Sequence, residues 1–367
     1  MSGKSMTTFA PGKTVGFWRR LHCWLAYTLG AVFVIQGLSG SMMVLGEPID
    51  AWINPELTPG KHSVPLVEMA DALDRQYPNA VGLGVKRQDK TGQLVLGFWP
   101  EPDPLIPSER NYRLARMNIS TGKVVSVNTY GSFPHSRYDV LAYLYAIHTN
   151  LTLGAVGRFL LIFTTLGLLL LLVAGIINWR NRRKWLKYKK QADIVDTPWA
   201  KWHRKLGLSS VAVLIVLLSS GLALQYETLL DPSFSYQSKD RVGQEHRLPL
   251  RKAWQAATRK YPDAKAMLIM SPFWEGGTFR IDLIPKSGKE AGKTVELFLD
   301  AYSARILHER TSDDRKGLAY WVGLLEPLHG GSILGVPGEI LAFLAGLVPL
   351  MMLLLGRAGA RKLRHKL

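Results

Sequence analysis

The stretch HTNLTLGAVGRFLLIFTTLGLLLLLVAGIIN, residues 148–178, decides the fold. From Leu151 to Asn178 it carries a single charged side chain, Arg158. The run exceeds the about 20 apolar residues that a helix needs to cross a bilayer. Three more runs read the same way: Trp24–Leu45, Gly207–Gln225 and Ile333–Leu355. Averaged over 367 residues the hydropathy is near neutral, because polar stretches alternate with these runs. The first run follows Arg19 and Arg20 as a signal peptide would, but it is too long for one. No small-residue cleavage site follows before Glu47, so a retained helix is expected.

The placement of the +18 net charge orients the helices. The segment Arg180–Lys205 holds ten Lys/Arg against Asp193 and Asp196. The first twenty residues and the tail from Arg357 onward carry basic residues and no acid. The long intervening segments are mixed: 46–140 has ten basic and eleven acidic side chains, 225–320 sixteen and thirteen. The positive-inside rule then puts both termini and the short middle loop in the cytoplasm and the long segments in a periplasm-like space. A multi-pass protein of the bacterial inner (cytoplasmic) membrane is expected, with the lipid bilayer as partner. Basic clusters that flank apolar helices argue against a nucleic-acid partner. The single cysteine, Cys23, excludes an intramolecular disulfide and a thiolate metal site of the usual spacing.

The chain repeats itself. Trp18 and Trp199, His22 and His203, Gly40 and Gly221, His148 and His329, Gly154 and Gly335, and Gly157 and Gly338 are all 181 apart. The outer segments repeat with a drift of three: Lys61–Leu66 aligns with Glu245–Leu250, and Asp71–Ala80, with its Tyr-Pro, aligns with Gln255–Ala264. Each half reads helix, outer segment, helix, and begins and ends inside. The repeats are therefore parallel, about an axis along the membrane normal.

The expected fold is a membrane α-helical protein with four transmembrane helices in tandem duplication and two small α+β outer modules. Its boundaries fall at 1–46, 47–147, 148–180, 181–201, 202–226, 227–328, 329–356 and 357–367. The first module should hold a helix near Leu66–Tyr77 and strands at Leu94–Trp99, Tyr112–Ile119 and Val124–Val127. The second should hold a helix over Leu250–Tyr261 and strands at Thr278–Ile284, Val295–Leu299 and Arg305–His308. Amphipathic stretches Tyr138–Ile147 and Leu318–Leu328 should lie at the interface, with Tyr143, Tyr145, Tyr320 and Trp321 at headgroup level.

Four of nine histidines carry the chemistry. His22 and His203 open the first and third helices on the cytoplasmic side. His148 and His329 immediately precede the second and fourth on the outer side. Imidazoles on facing helices can clamp the iron of a planar haem. His22 with His203 would hold an inner haem and His148 with His329 an outer one, two haems in all. The plain alternative is that these are half-solvated interfacial residues copied by duplication. His62 and His246 also repeat, in polar surroundings beside prolines, and are read as structural; His135, His308 and His365 receive no role. Arg158 and Glu339 are repeat partners that can pair with each other, or Arg158 can bind a haem propionate. Arg19, Arg20, Arg204 and Lys205 are placed to do the same for the inner haem. The sequence has no dinucleotide fingerprint, P-loop, zincin or nucleophile-elbow motif.

The segments Leu21–Leu25 and Trp202–Gly207 resemble the first-helix motif of PepSY-associated transmembrane proteins. His148 with Leu153–Arg158 and the closing Trp179 resembles the second-helix motif, and the outer segments resemble PepSY domains. The resemblance covers nearly the whole chain. Cys23, Thr149 and Gly330 stand where the family often has an arginine after the histidine. In size and layout the chain is most similar to the FoxB-type siderophore reductases of that family. This implies an oxidoreductase with two b-type haems that reduces a ferric siderophore, of hydroxamate type, on the periplasmic side for iron uptake, fed by a cytoplasmic or quinol electron donor. Trp99, Trp274, Tyr320 and Trp321 are candidates for the surface that meets the chelate. A non-enzymatic PepSY protein that binds or regulates an envelope protease is the alternative, and a transporter of parallel repeats is a third reading.

Overall fold

The computed structural model describes residues 13–57, 63–78, 80, 82–87, 95–102, 110–188, 197–226, 236–238, 247–272, 276–314 and 316–364. His62, His246, His365 and Trp274 lie outside the described residues, as does the middle of the basic loop, 189–196. The chain divides into a helical unit and a sheet unit. The helical unit comprises Met1–Val44, Leu160–Leu224 and Glu326–Leu367, and the sheet unit Leu45–Phe159 and Gln225–Leu325.

Four long helices, α1 (Lys13–Val44), α5 (Gly154–Tyr188), α6 (Pro198–Leu224) and α9 (Gly335–Arg364), carry the four apolar runs. Each is long and apolar enough to cross a membrane. Trp24, Leu160, Phe163, Leu344 and Leu354 are exposed on them, as expected of side chains that meet lipid rather than water. Inside the helical unit, Leu25, Leu168 and Leu171 form a buried cluster, with Leu29, Phe33 and Leu218 against it. α1 and α9 cross closely because both are small at the crossing. A Cβ on Gly37 would sit 2.3 Å from the Gly346 carbonyl oxygen. The Ser41 hydroxyl donates to the Phe343 carbonyl at 2.7 Å. Small residues that admit a neighbouring backbone are a common way for membrane helices to associate. The repeat copies of Gly37 and Ser41 are Leu218 and Leu222, so this seam exists once.

The sheet unit contains two short helices, α2 (Gly46–Ile53) and α4 (Val140–Asn150), and the first module's α3 (Leu66–Gln76). The first module's strands are β1 (Gly84–Arg87), β2 (Val95–Pro102), β3 (Arg110–Met117) and β4 (Val124–Thr129). The second repeats the pattern with α7 (Leu250–Lys260), β5 (Lys265–Met270), β6 (Thr278–Ile284), β7 (Val295–Asp300) and β8 (Ile306–Thr311). A last short helix, α8 (Leu318–Gly330), carries the second amphipathic stretch.

The two outer modules are joined, which the repeat alone does not indicate. Their strands form one eight-stranded antiparallel sheet of order β4-β3-β2-β1-β5-β6-β7-β8. The modules join through β1 and β5, the two strands that the sequence reading did not foresee. There Gly84 pairs with Met270, Val85 with Ile269 and Lys86 with Leu268. Val85 and Ile269 are 184 apart, the spacing of the outer repeat, so each faces its own copy. This is an isologous join, the same edge of each module meeting the other. Two further bonds extend it, from Ser271 N–H to the Leu83 carbonyl and from Gly82 N–H to the Pro272 carbonyl. Joining the two edges also removes them as sites of unwanted strand pairing.

One apolar core runs through both modules. Leu66, Met69, Ala70 and Leu73 of α3 and Leu250, Ala253 and Ala257 of α7 recur at helical spacing and are buried against Val85, Ile269, Phe279, Ile281 and Leu297. Burying one such side chain contributes about 1.5–3 kcal/mol. Arg247 and Arg251 reach from the second module to Asp74 and Asp71 of the first. The predicted Thr-Gly turn between β3 and β4 is present. Gly122 has φ +70°, and Ala304, in the same turn of the second module, accepts φ +57°. Asn118 and Asp300 brace these turns by accepting two backbone N–H groups each.

Candidate functional site

In the helical unit, His22 on α1 and His203 on α6 are brought together. Their ring centroids are 6.3 Å apart and their planes nearly perpendicular, at 88°. The His22 Nδ1 lies 3.2 Å from the Leu171 carbonyl oxygen on α5. The His203 Nδ1 lies 3.2 Å from the Met352 carbonyl oxygen on α9. Leu171 and Met352 are themselves 181 apart. One turn farther along each helix, a Cβ on Gly175 would meet the His22 ring at 3.3 Å, and one on Gly356 the His203 ring at 3.5 Å. Carbonyl and glycine, spaced i and i+4, thus form a flat seat for each ring.

A carbonyl oxygen can only accept, so Nδ1 must carry the proton in both rings. The lone pair is then on Nε2, the atom left for a metal. Holding one ring nitrogen by a backbone acceptor is the usual way to set the tautomer of a metal-binding histidine. The separation of the rings can be tested against ligation. A metal–imidazole bond is about 2.0 Å, and ring bonds of about 1.33 Å put each ring atom about 1.1 Å from the centre. Two imidazoles end-on to one ion would therefore have centroids about 6.2 Å apart, close to the 6.3 Å seen. Among the described residues no cluster of three or more His, Cys, Asp or Glu exists. A structural zinc site needs four protein ligands. Two histidines at this separation instead suit a metal whose remaining ligands come from a planar macrocycle, and the residues fit haem.

His329 occupies the last turn of α8, just before the fourth long helix. Its Nδ1 is 3.0 Å from the Leu217 carbonyl oxygen and 3.2 Å from Ser220 Oγ, both on α6. A Cβ on Gly221 would come within 2.8 Å of the ring. Burial holds the His329 imidazole below its ordinary pKa, partly offset by the bond to Leu217. The ring is therefore neutral at physiological pH, the form that binds metals. α8 ends beyond His329 at Gly331, with φ +82°, and α9 starts so close that a Cβ on Gly338 would lie 2.1 Å from the Gly331 carbonyl oxygen.

His148 occupies the corresponding place in the sheet unit, the last turn of α4. There Leu151 and Thr152 adopt positive φ, and a Cβ on Gly157 would lie 1.6 Å from the Asn150 carbonyl oxygen. The repeated glycines 157 and 338 thus serve the same sharp turn after each histidine. Next to His148, the Thr149 hydroxyl bonds to the Tyr130 hydroxyl and donates to the Tyr145 carbonyl. Burial raises the Tyr130 phenol above its ordinary value. Arg158 lies in the second turn of α5 within the sheet unit, where its charge acts on Tyr130. Glu339 lies in the second turn of α9, in the helical unit. At the other end, Arg19 and Arg20 are exposed beside Trp18, whose carbonyl accepts from Asn178 at 3.2 Å, and Arg204 is half-buried.

The aromatic candidates divide. Trp99, read from sequence as an exposed acceptor residue, is buried at 7% exposure and packs on Tyr77 with ring centroids 4.4 Å apart. Its position on β2 next to the first module's helix makes it part of the core. Tyr320 and Trp321 are exposed on α8. The most exposed aromatics of the sheet unit, Trp52 on α2 and Phe133, were not anticipated. The sequence reading also passed over Ser220, Gly356 and the carbonyls that seat the rings. A signal was present for the first two, since Ser39 repeats Ser220 and Gly175 repeats Gly356 at 181.

A family model described as the PepSY-associated TM region matches residues 19–358. A search of curated proteins found no match.

Proposed function

The chain belongs to the PepSY-associated transmembrane family, and on that premise we propose that it is a di-haem reductase of the bacterial inner membrane that delivers electrons to a ferric siderophore in the periplasm. The observation that carries this reading is the His22–His203 pair, with ring centroids 6.3 Å apart and both Nδ1 atoms within hydrogen-bond distance of backbone carbonyls. Bound haem would supply a one-electron carrier at each face of the membrane.

His22 and His203 hold the inner group, and the seats on α5 and α9 fix their Nε2 lone pairs. The repeat assigns His148 and His329 to the outer group, with His329 already held neutral and oriented by α6. Arg158 would bind an outer propionate, and Arg19 and Arg204 the inner ones. The basic segments orient the protein with both termini in the cytoplasm, where a soluble or quinol donor supplies electrons. Exposed Tyr320 and Trp321 offer an aromatic surface to a chelate. Each ferric ion takes up one electron and leaves as Fe(II), because hard oxygen ligands hold the softer, less charged ion poorly.

The test is the optical spectrum of purified protein and its reoxidation. The protein should hold two haems per chain with a six-coordinate low-spin reduced spectrum. After reduction with dithionite, a ferric hydroxamate should reoxidise it while Fe(II) accumulates in a ferrozine trap. Protein without haem sinks the reading and favours a non-enzymatic PepSY protein acting on an envelope protease. Haem-loaded protein whose reduced form ignores every ferric chelate sinks the reductase step alone.

A further inference from the structure

The three seated histidines differ in one respect. Among the described residues, His22 and His203 each have a single acceptor at Nδ1, a backbone carbonyl. His329 has two, the Leu217 carbonyl and Ser220 Oγ. Three residues beyond the carbonyls that seat the inner pair stand Ala174 and Leu355, which have no hydroxyl to offer. Three residues beyond Leu217 stands Ser220.

The direction of the Ser220 bond follows from its own helix. Its hydroxyl lies 2.7 Å from the Val216 carbonyl and 3.2 Å from that of Leu217. The shorter bond claims its single proton, the usual back-bonding of a serine in a helix. A lone pair of Oγ is then turned to His329, whose Nδ1 is protonated because it also faces a carbonyl. Ser39, the repeat copy, back-bonds in the same way, to Ile35 at 2.7 Å and Gln36 at 3.1 Å.

We propose that Ser220 is a positioning residue for His329: its hydroxyl shares the Nδ1 proton with the Leu217 carbonyl, fixes the ring above Gly221, and makes Nε2 a stronger donor than the nitrogens of the inner pair. The inference rests on the haem reading of the preceding section as far as its redox consequence is concerned, but the hydrogen bond itself does not. A second acceptor on Nδ1 pushes electron density onto Nε2, which stabilises ferric over ferrous iron and lowers the potential of the haem so ligated.

Two measurements on the full-length protein in detergent test it. In a redox titration, Ser220→Ala should keep two haems per chain and move one component to higher potential while the other stays in place. Ser220→Thr, which keeps the hydroxyl, should leave both where they are in the wild type. In nitrogen-15 NMR of histidine-labelled protein, Ser220→Ala should shift the His329 Nδ1 resonance, and Ser220→Thr should restore it. An unmoved resonance in Ser220→Ala overturns the proposal, whether or not haem is present. So does a shift of both redox components together, or an alanine titration identical to the wild type. Wild-type protein that lacks haem defeats the proposed function instead, and the NMR result then decides the hydrogen bond alone.

Discussion

His22 and His203 each place Nδ1 3.2 Å from a carbonyl oxygen, and the carbonyls are as far apart in sequence as the histidines. The sheet face opposite α3 and α7 behaves differently. By strand register, Leu96, Leu114, Arg116 and Asn128 of the first module correspond to Arg280, Glu296, Phe298 and Arg310 of the second. The first set pairs two leucines with Asn128 and with Arg116, which binds Asp50 at 2.5 Å. The second is an ion network around the buried Glu296, in which the half-buried Arg280 bonds to Asp282 and Glu296, and Arg310 bonds to Glu296. Tyr236 stacks on His308 beside it and meets Phe298 edge-on. One backbone thus repeats faithfully with two chemistries on it. A ring nitrogen aimed at a metal has few geometric solutions, whereas a sheet face can be filled by apolar groups or by paired charges.

The sharpest way to break this contrast is at the histidines. His22→Ala and His203→Ala should each lower haem content from two to about one per chain and remove the same spectral component, read by haem extraction and the reduced optical spectrum. Loss of different components by the two variants would show that the copies do not act together.

On the sheet, Glu296→Ala should destabilise by about 1–3 kcal/mol, because it removes the carboxylate that the half-buried Arg280 and Arg310 share. Installing the first module's residues instead, as R280L, D282F, E296L and R310N together, should recover most of that loss in thermal unfolding. A quadruple variant no more stable than Glu296→Ala would mean that the network is specific to its module.

The seam between modules should be more forgiving. Ile269→Val makes both residues at the join identical, since Val85 is its partner, and should cost about 0.5–1.5 kcal/mol. A greater loss, measured the same way, would show that the join depends on the larger side chain.

The smallest effect concerns Glu56. A hydrogen bond from its own backbone N–H, and then one from the Tyr138 hydroxyl, hold its carboxyl below the ordinary value. A lowered folded pKa stabilises above the unfolded value, about 4.3, and the gain is lost as pH falls through the folded one. Tyr138→Phe should move the Glu56 titration upward in NMR and narrow that acid-side window. An unchanged titration would remove Tyr138 from the account.

What local sequence could settle, it settled. Leu151–Asn178 and the other three runs are long and apolar enough to require a membrane helix wherever they fall. The strict spacing of 181 pairs His22 with His203 in the sequence alone, because parallel repeats put copies at one depth. The interior of the outer segments was half legible: α3, α7 and six strands follow from periodicity and turn residues. Trp99 stays open in sequence between a core role and the acceptor surface, because an aromatic on a strand looks the same whether the covering helix lies over it or not; the structure puts it in the core. The strands β1 and β5 escaped because they are short runs without clear alternation, and their partners lie across the seam rather than nearby in the chain. Only the tertiary structure could decide that two modules share one sheet and one core, since that pairing joins residues 184 apart. It alone could also decide which nitrogen of each imidazole carries the proton, because the atoms that choose, the carbonyls of Leu171, Met352 and Leu217, belong to the backbone that every residue shares.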